Sequence, residues 1–163
     1  MSGFISLMTG DVMEYIIRQA ETKDENHIRN CAELAYTCYV PLIGRKPAPM
    51  TADYAEKIAE GFVYIAVDAQ DILKGFIIFY PVNDYILLEN VAVMPDNAGR
   101  GIGKALIAFC EKEARQCGFN NVRLYTNEKM TKNISFYHKL GYTEIGRGTE
   151  QGFNRIFFKK SLM

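Results

Sequence analysis

The sequence predicts an α/β fold, a mixed sheet with helices on its faces. Three observations carry this expectation. Short β-branched runs alternate with segments of helical spacing; a glycine-rich turn at 91–104 joins one such run directly to a helix; and two strand-like runs close the chain around Glu150-Gln151-Gly152.

In chain order, the first dozen residues read as a flexible lead, because structured patterning begins near Met13. Glu14 to Arg18 has strand character. Thr22 or Asp24 is placed to cap a helix running to about Tyr39, with Ile28, Cys31, Leu34, Ala35 and Cys38 on its apolar stripe. Pro41 to Met50 carries three prolines and Gly44, which argues against any regular element. Thr51 is a candidate cap for a short helix to Ile58. Phe62 to Val67 and Ile72 to Tyr80 read as a strand pair joined by Asp68-Ala69-Gln70-Asp71. A long strand, Tyr85 to Val93, precedes the helix Gly101 to Gln116. Val122 to Thr126 is a strand, Thr131 to Leu140 a helix, and Tyr142 to Gly148 with Phe153 to Lys159 the closing hairpin.

Bulk properties fit a small cytoplasmic enzyme. The 163 residues suffice for one domain, here 13–163 after the lead 1–12, that buries about two-thirds of its unfolded surface. Nineteen basic residues balance nineteen acidic ones with no long run of either sign, so the basic stripe of a nucleic-acid binder is missing. Cysteines at 31, 38, 110 and 117 form no C-x-x-C pair, and each pair is seven apart in a helical stretch. That spacing suits small buried side chains in a reducing compartment better than metal ligands, and no metal is expected. No apolar run approaches the roughly 18 residues of a membrane span, and Phe4-Ile5-Ser6-Leu7-Met8 lacks the basic flank of a signal peptide.

The most informative stretch is Val91-Ala92-Val93-Met94-Pro95-Asp96-Asn97-Ala98-Gly99-Arg100-Gly101-Ile102-Gly103-Lys104. It reads as a strand, a tight turn and a helix start. First-turn amides have no partner inside a helix, and the helix dipole adds positive charge there. Glycines remove the side chains that would hold a phosphate away from those amides. A P-loop is excluded, because Ala98 stands where its first glycine belongs and Ala105 where its hydroxyl belongs. A dinucleotide fingerprint is excluded too, since the spacing is G-x-G-x-G and Lys104 fills the slot of the last glycine. A helix merely started by glycines is the plain alternative.

What remains resembles motif A of the GNAT acyltransferase superfamily, [Q/R]-x-x-G-x-[G/A], with Gly101 and Gly103 at its two small positions. Ala98 departs from the usual first residue, a position that acts largely through its amide. A second stretch, Met130 to Tyr142, resembles the family's N-x-x-[A/N]-x-x-[F/L]-Y-x-x-x-G-[F/Y], with Met130 where Asn is common. The element order matches the family over roughly 13–160. The resemblance implies an acyl-CoA N-acyltransferase fold, a mostly antiparallel sheet of roughly six to seven strands with about four helices.

The resemblance also implies roles. The backbone of Val91, Ala92 and Val93 pairs with pantetheine, and Gly99, Arg100, Gly101, Ile102, Gly103 and Lys104 cradle the pyrophosphate of acetyl-CoA. Asn133 supplies a polar contact to the cofactor. Tyr137 protonates the departing thiolate, a task suited to a phenol whose ordinary pKa is about 10; the plain alternative is a core residue beside Phe136. Glu89, among Leu87, Leu88 and Val91, is the candidate base, partly desolvated with a raised pKa, unless it is a solvated or structural residue and ordered water serves instead. Tyr36, Tyr39 and Arg45 are expected in the acceptor wall, Arg45 suiting a carboxylate or phosphate. The expected activity is direct acetyl transfer to a primary amine of a small molecule or peptide. The alternative is a non-catalytic CoA-binding sensor or partner module. Neither a nucleic acid nor a membrane is an expected partner, and the chain is expected to be a monomer or homodimer.

Overall fold

The computed structural model describes the backbone of residues 5–9 and 13–163, and side chains from residue 15 onward. Its strands are β1 (Ile5–Thr9), β2 (Met13–Gln19), β3 (Val63–Asp68), β4 (Leu73–Val82), β5 (Tyr85–Val93), β6 (Asn121–Asn127), β7 (Thr143–Glu150) and β8 (Phe153–Ser161). Its helices are α1 (Glu25–Tyr36), α2 (Val40–Ile43), α3 (Tyr54–Ala59), α4 (Ile102–Gln116) and α5 (Thr131–Lys139). Two compact units divide the chain: the first takes residues up to Ile78 with Asn90–Phe109, the second Phe79–Glu89 with Cys110–Met163.

In the first unit the ladder runs β1-β2-β3-β4. Its pairs are antiparallel, for example Ile17 opposite Ala66 and Val63 opposite Ile78. Val63 to Val67 are all buried, which explains why β3 reads as a continuous apolar run rather than an alternation. Helix α1 covers the core with Ile28, Cys31, Ala32 and Tyr36, a stripe at helical spacing. Ile102, Leu106, Ile107 and Phe109 of α4 are likewise buried.

In the second unit the ladder runs from the end of β4 through β5, β6 and β8 to β7. Strands β5 and β6 are parallel over three pairs, ending at Leu88 opposite Leu124. The pairs β6–β8 and β7–β8 are antiparallel. A buried carboxylate sits in this core: Glu111 accepts from the Tyr142 hydroxyl at 2.8 Å and from Lys160 Nζ at 3.0 Å. Gly141 takes φ +93, the left-handed turn expected after α5.

Several expectations need correction. The segment 1–12 includes β1, because Ile5–Thr9 has β2 as an antiparallel partner; the rest of that lead lies outside the described residues. With β1 at its edge beside the seven strands expected, the sheet has eight. The proline-rich segment is partly regular: α2 forms with proline at its start, where the missing N–H is not needed, and Gly44 at φ +87 ends it. A 3-10 turn follows at Ala48–Met50. Helix α1 stops at Tyr36 and leaves Leu34 exposed, because the buried stripe centres on Ala32 rather than Leu34. Asp53, not Thr51, caps α3, accepting from the Glu56 N–H at 3.1 Å. Of the four cysteines only Cys31 and Cys110 are buried. Cys38 falls in a 3-10 turn that breaks the helical phase, and Cys117 lies past the end of α4.

Candidate functional site

The first unit builds the candidate anion cradle where β5 hands over to α4. The Met94 N–H donates to the Lys74 carbonyl at 2.8 Å, and a 3-10 turn at Pro95–Asn97 reverses the chain. Gly99 and Gly101 then adopt φ +79 and +82, and a Cβ at either would meet no atom within 4 Å. Side chains are excluded there by backbone conformation, while the space above stays open. The first bond of the helix runs from the Ala105 N–H to the Gly101 carbonyl at 3.0 Å. The amides of Ile102, Gly103 and Lys104 therefore precede the helical ladder, at the positive end of a 15-residue helix. Arg100 and Lys104 are exposed beside them. The Ala98 amide, expected to face the anion, instead closes on the Pro95 carbonyl at 3.2 Å.

Gly75, a residue that sequence reasoning missed, sets the approach of β4 to this cradle. A Cβ there would lie 2.8 Å from the Ala92 carbonyl oxygen and 3.3 Å from side-chain carbons of Ile102 and Leu106. Its signal was visible, since a glycine inside a strand marks a close approach of backbone.

Along β5, Asn90 and Ala92 are buried while Val91 and Val93 are half-buried on the other face. The Tyr36 hydroxyl lies 2.7 Å from Asn90 Oδ1 and 3.1 Å from the Val91 carbonyl. Asn90 Nδ2 donates to the Tyr54 hydroxyl at 3.2 Å, and that hydroxyl donates to the Pro49 carbonyl. Tyr36 thus ties α1 to β5 rather than simply lining a wall. The Val91 carbonyl, expected to be offered to a cofactor, is already engaged, with a second lone pair remaining. Tyr39 is half-buried with its ring 6.4 Å from that of Tyr36, and burial pushes its phenol pKa up. Arg45 is exposed.

The second unit holds Glu89, Asn133 and Tyr137. Glu89 Oε1 accepts from the Tyr80 hydroxyl at 2.6 Å. Tyr137 is 6 % exposed, its ring 6.1 Å from Tyr142 and 6.2 Å from Phe158. Asn133 Nδ2 donates to the Met130 thioether at 3.6 Å, which also receives the Thr126 hydroxyl at 3.6 Å. Met130, where the family commonly has Asn, is thereby a buried acceptor. Beside Glu89 on the sheet stands Tyr125, whose pKa burial raises, Arg155 lowers, and the Glu89 and Glu150 charges raise further. The Arg155 guanidinium lies 4.3 Å from the Tyr125 ring centre. Among the described residues no group of three or more His, Cys, Asp or Glu is placed to hold a metal, and no helix is long and apolar enough to cross a membrane.

Fold and glycine turn together define a mixed α/β, mostly antiparallel protein with a candidate anion site at the head of one helix. The chain belongs to the acetyltransferase (GNAT) family, whose model matches residues 28–142. Two curated relatives are the aminoalkylphosphonate N-acetyltransferase of Salmonella typhimurium, 37% identical over 57 residues (35% of this chain, 37% of that protein), and the streptothricin acetyltransferase of Streptomyces lavendulae, 27% identical over 90 residues (54% and 48%). The chain thus spans between about a third and a half of the curated relatives it matches. Among solved structures, the PaiA N-acetyltransferase from Thermoplasma acidophilum in complex with coenzyme A aligns with TM-score 0.77 at 19% identity, over 91% of this chain and 99% of that one. The ribosomal-protein-S18-alanine N-acetyltransferase from Escherichia coli aligns with TM-score 0.73 at 20% identity, over 91% and 94%. At such identities the likeness is one of fold.

Proposed function

We propose that the protein is an acetyl-CoA-dependent N-acetyltransferase that moves an acetyl group directly to a primary amine. The observation that carries this reading is the glycine turn, with Gly99 and Gly101 at positive φ and open space around them, before the first-turn amides of α4. A diphosphate fits such a row of donors. Acetyl-CoA supplies the acetyl group already activated as a thioester. In this reading the amides of Gly99 to Lys104 hold its pyrophosphate, with Arg100 and Lys104 adding positive charge, and the backbone of Val91, Ala92 and Val93 and the side chain of Asn133 orient the rest. Glu89, directly or through water, takes the proton that the acceptor ammonium must lose to become a nucleophile. The amine nitrogen then bonds to the acetyl carbon, the carbon–sulfur bond breaks, and the Tyr137 phenol gives its proton to sulfur; the proton that the nitrogen sheds on becoming an amide restores the phenol through solvent. Tyr36, Tyr39 and Arg45 belong to the acceptor side, which receives a small-molecule or peptide amine.

Calorimetry with acetyl-CoA and a CoA-thiol release assay on an amine panel test the reading. Gly103→Asp sets a carboxylate against the phosphates and is expected to abolish acetyl-CoA binding. Tyr137→Phe is expected to keep binding and lose most of the thiol release. Unchanged binding by Gly103→Asp removes the cofactor assignment. Binding without turnover on any amine favours a non-catalytic CoA-binding module instead.

A further inference from the structure

The parallel ladder between β5 and β6 ends at Leu88 opposite Leu124, so Glu89 and Tyr125 are the first residues past it on the two strands. Both are half-buried and lie on the face opposite Leu88 and Leu124. Across β6, Tyr125 is opposite Phe157 and Asn127 is opposite Arg155, which keeps all four on one face of the second unit. A carboxylate, an aromatic ring and a guanidinium therefore follow one another across this face.

Arg155 is placed unlike a surface salt-bridge partner. It is 9 % exposed, with its guanidinium 4.3 Å from the Tyr125 ring centre and 5.8 Å from that of Phe153. The two rings pack beside the guanidinium and help to hold its donor fork in place. Its carboxylate partner is Glu150, reached from Nη1 at 2.8 Å, and that side chain is 53% exposed at the end of β7, next to the Gln151-Gly152 turn. The buried member of the pair is thus the arginine, and the exposed member is the glutamate. Glu150 stands where an incoming anion would sit.

We infer that the acceptor is an amine that also carries a carboxylate or phosphonate, with its ammonium toward Glu89 and its anion on the Arg155 fork in place of Glu150. This rests on the acetyl-transfer reading above and narrows its substrate class. Planar bidentate recognition of carboxylate and phosphonate oxygens is the task for which an arginine fork is best shaped. The Tyr125 ring between the poles covers the aliphatic spacer of such a molecule. Arg45, the cation expected from sequence to serve this purpose, is exposed in the first unit.

The test is a panel of straight-chain amino acids and aminoalkylphosphonates, from β-alanine and 2-aminoethylphosphonate upward, each matched to a neutral counterpart such as β-alaninamide or ethanolamine. With acetyl-CoA, kcat/KM for the acids should exceed that for the neutral amines by about tenfold or more. Arg155→Gln should pull this ratio toward one, Arg155→Lys should keep part of it, and Glu150→Gln should raise it by lowering KM for the acids. Glu150 is exposed, so that variant tests the idea even if the arginine variants fold poorly. Calorimetry of the same panel on the CoA-loaded protein separates the two levels of the argument. Acids that bind selectively without being acetylated sustain the Arg155 site and remove the transferase reading. Equal use or equal binding of acids and amides, a ratio indifferent to Glu150→Gln, or no binding by any panel member overturns the Arg155 site.

Discussion

Gly75→Ala adds one methyl group where β4 passes beneath the cradle, and its effect follows from three distances. The new Cβ would lie 2.8 Å from the Ala92 carbonyl oxygen, against an ordinary carbon–oxygen contact of about 3.4 Å, and 3.3 Å from carbons of Ile102 and Leu106. The oxygen belongs to backbone and cannot rotate aside, so a strand must move. Gly75 has no left-handed φ, so the penalty is steric alone. Overpacking of this kind costs about 1–3 kcal/mol, offset by up to about 1 kcal/mol because alanine restricts the unfolded chain. A net loss of about 1–2 kcal/mol lowers the melting temperature of a chain this long by roughly 2–8 °C. The displaced groups, the Ala92 carbonyl and Ile102 in the first turn of α4, also belong to the proposed cofactor site. Acetyl-CoA should therefore raise the melting temperature of the variant less than that of the wild type. Differential scanning fluorimetry with and without acetyl-CoA measures both. A variant that melts within about 1 °C of wild type and shows the same ligand shift would refute the claim that close packing at residue 75 shapes the cradle.

Two further predictions concern stability. Burial alone would raise the Asp24 pKa, but the Arg18 guanidinium and the Glu21 amide outweigh it and hold the carboxyl below its ordinary value. Asp24→Asn should cost about 1–3 kcal/mol at pH 7 in urea unfolding. Because the native pKa is depressed, that gap is complete above about pH 4 and closes as pH falls through the native value; a gap equally wide at pH 2.5 contradicts it. Lys160→Met leaves Glu111 buried with the Tyr142 hydroxyl but no cation, and should lower stability by about 1–3 kcal/mol at pH 7. A melting temperature equal to or above that of wild type would show the ion pair to be dispensable.

The cradle was legible because its information is local. Two glycines with positive φ, a proline before them and a helix pattern after them lie within a few residues, and the boundaries of α4 and α5 follow from periodicity and capping. The same holds for β5, whose alternation is clear in Ile86, Leu88 and Ala92. Contacts across long sequence separations were not legible. The partner of Tyr36 is 54 residues away at Asn90, and nothing in either residue's neighbours announces the other. Glu89 was marked by a carboxylate in an apolar strand, but the Tyr80 hydroxyl that holds it emerges only when β4 and β5 pair. Arg155 looked like one more charge in a terminal hairpin, because its stacking on Tyr125 depends on the β6–β8 register. Proline count misled at Val40–Ile43, where position within the turn matters more than the number of prolines.

The bonds among Tyr36, Asn90, Tyr54 and the Pro49 carbonyl impose a division of labour on the first unit. The stretch between Pro41 and Lys46 hangs from points at residues 36, 49 and 54: the Tyr36 and Tyr54 hydroxyls both reach the Asn90 amide on β5, and the Pro49 carbonyl is tied in through the Tyr54 hydroxyl. The segment can change its chemistry residue by residue without shifting the strand beneath. A change at Asn90 does the reverse: it leaves every exposed side chain of the segment as it was and removes the one strand partner that the Tyr36 and Tyr54 hydroxyls share.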